Sequence, residues 1–202
     1  RFNADAAEIT DIVITHNHSD HFDMESVKKI AGNGKIRLFG SPQVCAEAEV
    51  CCEVHPVSYG CRFQVAGFDF LALPANHAVE DPYEDTFLYV ISGGGRTLLY
   101  ALDTAWFSSR AKRFLGTSYL DGIIWDATMS EAGDWRVFDH SDPTMFRVIR
   151  KTLAQSRNID EKTRIWFNHR ARTLWPADPA EQEKIAVREN AELAHEGEIV
   201  IF

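Results

Sequence analysis

The sequence predicts a mixed α and β protein, and three observations lead there. Two pairs of apolar runs in the first half each straddle a glycine turn, at 62–65 with 68–73 around Ala66-Gly67, and at 86–92 with 97–102 across Gly93-Gly94-Gly95. Strand and helix patterns then alternate through the second half. Hydrophobic residues make up 45% of 202 positions, enough for one core-bearing domain spanning 1–202 and too little chain for two.

Each element has its own justification. Residues 9–15 read as a strand because Ile12-Val13-Ile14 is a continuous apolar run. Residues 24–30 form a short helix that stops at Gly32, and 36–39 form a strand. Ser41 caps a helix that runs to about residue 50, with Pro42 at its first position. After the two hairpins, 106–115 reads as helix and 122–125 as a buried strand. Asp142 and Pro143 open a helix to about residue 155, and 164–167 form another strand. An amphipathic helix rich in Glu and Ala covers 179–194, and 198–202 closes the chain as a strand.

Composition narrows the partners. Thirty acidic residues against 21 basic ones give a net charge of -9, which disfavours generic binding to nucleic acid or to an anionic membrane. No apolar run approaches the roughly 20 residues needed to cross a bilayer. The chain starts at Arg1 rather than Met, so we expect a trimmed N-terminus. Cys45, Cys51, Cys52 and Cys61 lack the C-x-x-C rhythm of a zinc ribbon and read as reduced thiols in a cytoplasmic setting; the competing reading is a second, structural metal site.

The chemistry concentrates in Thr15-His16-Asn17-His18-Ser19-Asp20-His21-Phe22, directly after the first strand. Four metal-capable side chains within six positions begin two sites rather than finish one, and the absence of Cys argues against a closed structural site. Further candidates follow other strands: His77 after 68–73, Asp103 after 97–102, His169 after 164–167. Loops at strand ends are where mixed folds carry their chemistry. Taken singly, each His has an ordinary reading as a hydrogen-bonded loop residue, and Asp103-Thr104 as a helix cap.

Together, in this order, they resemble the metallo-β-lactamase superfamily. His16-x-His18-x-Asp20-His21 matches its H-x-H-x-D-H signature, and the run Ala194-His195-Glu196-Gly197-Glu198-Ile199-Val200 is similar to its closing A-x-D-G-x-x-I strand. The resemblance implies an αββα four-layer sandwich, here with some N-terminal strands lacking. It implies two divalent metal ions: His16, His18 and His77 on one, Asp20, His21 and His169 on the other, and Asp103 bridging. Zinc is the first choice, with manganese or iron also suited to His and Asp donors. Asp at the bridging position, where the commonest zinc β-lactamases have Cys, points instead to the hydrolases of the superfamily.

Among these hydrolases, His140 in Phe138-Asp139-His140-Ser141-Asp142-Pro143 is the discriminator. A His just before this helix resembles the leaving-group acid of the phosphodiesterase branch, in the layout of the phosphoribosyl cyclic phosphodiesterase and the tRNA 3′-end nucleases. The implied chemistry is attack by a metal-bridging hydroxide on a small or cyclic phosphate ester, with Asp20 orienting the nucleophile or His140. Arg170 and Arg172 are candidates to grip a phosphate oxygen or a substrate carboxylate, set against pairing with the acids of the 179–194 helix. Trp106, Trp135 and Trp175 are candidate pocket walls, and Asp126 is a supporting residue rather than a ligand. No Gly-, Lys- and Pro-rich arm is present to grip tRNA, so a small-molecule phosphodiester is preferred. The alternatives are a lactonase or glyoxalase II-like thioester hydrolase on the same metals, and a non-catalytic metal-binding module. A redox role lacks a G-x-G-x-x-G fingerprint for a flavin. A homodimer is the expected assembly.

Overall fold

The structure, a computed structural model, describes residues 8–32 and 36–200. It opens with two βαβ steps: β1 (Asp11–Val13), α1 (Met24–Ala31), β2 (Arg37–Gly40), α2 (Pro42–Ala48) and β3 (Glu53–Pro56). The three strands pair in parallel in the order β1-β2-β3. An antiparallel meander follows: β4 (Arg62–Val65), β5 (Phe68–Pro74), β6 (Phe87–Gly93) and β7 (Arg96–Ala101). The chain then turns parallel through α3 (Ser109–Leu115), β8 (Gly122–Asp126), α4 (Pro143–Gln155), β9 (Arg164–Asn168), α5 (Pro179–Arg188) and β10 (Glu192–Leu193). The second sheet has seven strands in the order β10-β9-β8-β7-β6-β5-β4.

Side chains alternate across each strand, and this sorts the core into three layers. Leu71, Leu73, Leu99, Ile123, Trp125 and Phe167 meet Leu115, Phe146, Ile149 and Leu153 on the helix-covered face of the large sheet. Phe39, Val65, Ala72, Phe87 and Tyr89, with Val13 and Phe70 against them, fill the space between the sheets. Phe22, Val27, Leu38, Val44 and Ala48 form the outer layer under α1 and α2. This is the αββα sandwich that the resemblance implied, with three strands in the small sheet among the described residues. No described helix is long and apolar enough to cross a membrane.

Helix starts follow their capping chemistry. Ser41 Oγ accepts from the Val44 amide and Pro42 opens α2. Asp142 accepts from the Thr144 and Met145 amides at 2.6 and 3.1 Å, with Pro143 next. The structure departs from the sequence reading at five places. β1 ends at Val13, although the Ile14 amide still donates to Phe39 O of β2 (2.8 Å), because the Ile14 and Thr15 carbonyls turn to the large sheet: the Tyr89 hydroxyl donates to Ile14 O (2.8 Å) and the Phe87 amide to Thr15 O (3.0 Å). Strand β3 was not foreseen. α3 starts at Ser109 behind a Ser108 cap rather than at Trp106. α5 ends at Arg188, with Asn190 in the left-handed region (φ 55), instead of running to Ala194. Residues 198–200 form no strand, because Glu196-Gly197 is a turn (Gly197 φ 80); Ile201 and Phe202 lie outside the described residues.

Candidate metal centre

Four strand ends, one from the small sheet and three from the large one, converge on one place. The turn after β1 is tight, with the amides of His21 and Phe22 both donating to His18 O at 2.9 and 2.8 Å. Phe22, buried in the outer core, anchors it. His16, His18 and His21 therefore share one side of the turn, and the His16 ring centroid lies 4.8 Å from that of His18 and 4.4 Å from that of His21. His77 follows β5, Asp103 follows β7, and His169 follows β9. Asp103 and His169 both hold positive φ (52 and 58) although neither is Gly. Such left-handed residues persist where surrounding structure over-determines them, and they concentrate at functional sites.

The donor atoms fall into two triads joined by one carboxylate. His16, His18 and His77 offer nitrogens all within 4.8 Å of one another, as do His21 and His169 with Asp20. His77 Nε2 and His18 Nδ1 stand 3.0 Å apart, and His21 Nε2 and His169 Nε2 stand 3.4 Å apart. Asp103, 2% exposed, reaches both triads: Oδ2 is 3.2 Å from His16 Nε2 and 2.6 Å from His21 Nε2, and Oδ1 is 3.1 Å from His169 Nε2. Asp20 lies 3.5 Å from His21 and 3.7 Å from His169, with its carboxylate open to solvent. All seven ligands expected from the sequence are thus brought together.

The electrostatics fit cations. Burial pushes the His16 imidazole down to about 3, so it is neutral with a lone pair available at neutral pH. Burial lowers His77 too. His77 Nδ1–H must donate to the Asp139 carbonyl (3.1 Å), which can only accept, and this leaves Nε2 bare toward the cluster. Burial opposes charge on Asp103, but the hydrogen bond from His21 and the surrounding imidazoles outweigh it and hold the carboxyl well below its usual range. For His21, burial acts downward and Asp103 upward, with a net raise. His16 Nε2 and Asp103 Oδ1 are buried without any hydrogen-bond partner. Orphaned polar atoms of this kind are costly in a protein interior, and divalent cations between the triads would satisfy them.

Behind the ligands stands a support that the sequence showed only in part. Asp126, fully buried, accepts from the Thr104 amide (3.0 Å), the Thr128 amide (2.8 Å), the Thr128 hydroxyl (2.7 Å) and His140 Nδ1 (2.9 Å). Because the Thr128 hydroxyl donates to Asp126, its oxygen is left to accept from His169 Nδ1 at 2.9 Å. That chain fixes the His169 tautomer and turns Nε2 to the cluster. Asp126 has the supporting role read from the sequence; Thr128 was missed, since no local spacing marks a hydroxyl whose imidazole partner lies 41 residues away. His140 lies at the cluster, its ring stacked on His169 at 5.4 Å and 5.0 Å from His77. Burial lowers its pKa, yet the Asp126 hydrogen bond and charge carry the net shift upward.

The remaining candidates separate. Arg170 donates to Gln182 Oε1 (2.5 Å) and Ala194 O (3.0 Å), so it meets α5 through an amide and not through the acids. Arg172 is exposed. Trp175 is buried and donates to Ala127 O (2.7 Å), whereas Trp106 and Trp135 are exposed. The four cysteines are free, and among the described residues none joins a group of three potential metal ligands.

A sandwich of this layering, with imidazole and carboxylate donors gathered at its strand ends, has the metallo-β-lactamase fold. The family model for a β-lactamase superfamily domain matches residues 2–165, and the chain belongs to that superfamily. Solved structures agree on the fold. A diphosphatase described as new from the PhnP family superposes with TM-score 0.67 at 19% identity, covering 94% of this chain and 69% of that one. Zinc-bound PqqB from Methylobacterium extorquens gives 0.69 at 17%, covering 96% and 73%. Unliganded yeast PDE1 gives 0.66 at 14%, covering 94% and 67%. No curated protein matches significantly by sequence.

Proposed function

We propose that the chain is a metal-dependent hydrolase, and specifically a phosphodiesterase acting on a small or cyclic phosphate ester. The observation that carries this reading is His140: Asp126 holds its Nδ1–H at 2.9 Å while its ring stands against His169 and His77 at the edge of the ligand cluster. A thioester hydrolase on the same cluster has less need of such a group, because a thiolate leaves unprotonated whereas a phosphodiester expels an alkoxide that must be protonated. Proteins of the same fold, a diphosphatase of the PhnP family and yeast PDE1, favour the same reading.

His16, His18 and His77 would hold one divalent cation, Asp20, His21 and His169 a second, and Asp103 would touch both. When bound, such ions neutralise phosphate oxygens and lower the pKa of a water to about 7. Zinc is our first choice, with manganese and iron compatible with the same donors. The chain's own groups do the rest. Asp126 accepts from His140 Nδ1–H and favours the charged imidazolium, which gives its Nε2 proton to the leaving oxygen and stays behind as the neutral Nδ1–H ring. The Asp126–Thr128–His169 chain keeps the ligand cluster in register during turnover.

The test is hydrolysis of bis(p-nitrophenyl) phosphate with added Zn²⁺ or Mn²⁺, beside a lactone and a thioester. On an alkyl phosphodiester, whose alkoxide needs a proton, His140→Ala should lower kcat about 100-fold or more, the scale of general-acid catalysis, with a much smaller loss on bis(p-nitrophenyl) phosphate, whose p-nitrophenolate leaves without one. Asp103→Ala should abolish turnover of every substrate. Activity confined to the lactone or thioester, indifferent to His140→Ala, would move the site to acyl chemistry and end the phosphodiesterase reading.

A further inference from the structure

One acid of the loop between β5 and β6 is turned inward. Tyr83 in that loop is 88% exposed, yet Glu84 beside it is 8% exposed. Burying a carboxylate is costly unless it has partners, so its place needs a cause. Glu84 Oε1 accepts from Ser41 Oγ at 2.9 Å, and Ser41 is fully buried. Burial pushes the Glu84 pKa up, while the Ser41 hydroxyl and the Asn17 amide, both directed at the carboxylate, favour its charged form. Oε2 is buried without a hydrogen-bond partner, so the side chain is placed for what Oε1 reaches.

What it reaches is the back of one ligand triad. Asn17 lies between His16 and His18, and the loop that carries Glu84 follows His77. Residues 84–87 meet both sides of that triad. Glu84 faces the Asn17 amide, Thr86 Oγ1 donates to His77 O at 3.0 Å, and the Phe87 amide donates to Thr15 O at 3.0 Å. The other end is anchored on α2. Ser41 accepts from the Val44 amide at 3.1 Å while it donates to Glu84, and Gln43 Nε2 donates to Asp81 Oδ2 at 3.0 Å. The Tyr83 and Glu84 amides close the turn on Asp81 Oδ1 and O, at 2.9 and 3.0 Å. None of these bonds involves Asp20, His21 or His169 of the second triad.

We propose that Glu84 is a positioning residue for the first cation. Anchored on Ser41, it fixes the Asn17 backbone and with it the spacing of His16 and His18 opposite His77. The inference rests on the two-cation reading of the cluster and is independent of which ester is hydrolysed.

The experiment titrates chelator-treated protein with Zn²⁺ against a chromophoric chelator, which gives a Kd for each site. Glu84→Ala should weaken one site by about 10–100-fold, the scale of losing a group that orients a metal ligand, and leave the other unchanged. Glu84→Gln should bind like wild type, because its amide oxygen replaces Oε1 and its N–H₂ replaces the unpartnered Oε2. In a His18→Ala background, which removes the first site, Glu84→Ala should cause no further loss. If Glu84→Ala does not fold, Ser41→Ala, which removes the anchor, enters the same comparisons. Equal weakening of both sites, a Gln variant as weak as Ala, or a further loss in the His18→Ala background overturns the proposal. Wild type that takes up no Zn²⁺ would end the two-cation reading itself. The contact is then judged on the metal-free chain by hydrogen exchange. Faster exchange of the 15–18 amides in Glu84→Ala supports positioning by Glu84, and unchanged exchange refutes it.

Discussion

Asp126 has no exposed surface, yet it governs the protons of two imidazoles, His140 directly at 2.9 Å and His169 through the Thr128 hydroxyl. Its two oxygens accept four hydrogen bonds, and an amide in its place would turn an N–H donor toward two of those donors. Asp126→Asn should therefore lower kcat on an alkyl phosphodiester about 100-fold with a smaller change in KM, because it releases the proposed general acid, His140, from the partner that orients it. The decisive comparison is the double variant with His140→Ala: if Asp126 acts through His140, the pair should be little worse than His140→Ala alone. A fully multiplicative loss would show that Asp126 serves stability or the metals independently. At this scale the sequence was most legible where function compresses residues together. His16, His18, Asp20 and His21 could be read because one tight turn supplies them all. His77, Asp103 and His169 became readable only through their common place after strands. Thr128 was unreadable, because its role depends on a fold that brings 126, 140 and 169 to one hydroxyl.

Among the elements, those with strong local chemistry were legible and those set by tertiary pairing were not. β4 and α4 lie where their patterns and caps put them. β3 escaped notice because Glu53-Val54-His55-Pro56 is short, mixed in polarity and ends in Pro, as suits an edge strand. The overrun of α5 followed its Ala- and Glu-rich composition, although Asn190 carried a stop signal as a residue tolerant of the left-handed region. The end of α5 is also fixed by an ion pair: Arg147 of α4 grips the buried Glu189 with Nε at 2.8 Å from Oε2, and Nη2 contacts the other oxygen. The hydrogen bond from Arg147, opposed by burial, holds the Glu189 carboxyl below its ordinary 4.5. A depressed folded pKa contributes stability that is full above the unfolded value and is lost as pH falls through the folded one. Glu189→Gln should thus lower Tm by a few degrees at pH 7, and the gap from wild type should close in acid. Thermal melts at neutral and strongly acid pH check this, and a gap that stays constant with pH would mean packing, not charge, sets the effect.

For the molecule as a whole, the candidate metal centre stands where its two sheets meet, placed to act as a clasp between them. His16, His18, Asp20 and His21 stand on the loop leaving the small sheet, whereas His77, Asp103 and His169 stand on strand ends of the large one. Among the described residues, the hydrogen bonds that tie the 14–15 backbone to the large sheet are those of Thr15 O with the Phe87 amide and Ile14 O with the Tyr89 hydroxyl. Without cations, Asp103 holds the loop through His21 at 2.6 Å and, more weakly, His16 at 3.2 Å. Ions that bind the folded chain and not the unfolded one add about 2.7 kcal/mol per site at 100 times Kd. At ~2–4 °C per kcal/mol for a chain of this size, even one filled site should raise Tm by about 5–10 °C. Chelator-treated protein should therefore melt lower, recover on adding back Zn²⁺ or Mn²⁺, and lose protection from hydrogen exchange first in residues 14–22 on metal removal. Asp103→Asn should blunt the recovery, because it weakens the one ligand that reaches both triads. Equal melting with and without metal, with exchange in 14–22 unchanged, would show that the protein interior alone closes the clasp and that the ligand cluster contributes nothing to joining the sheets.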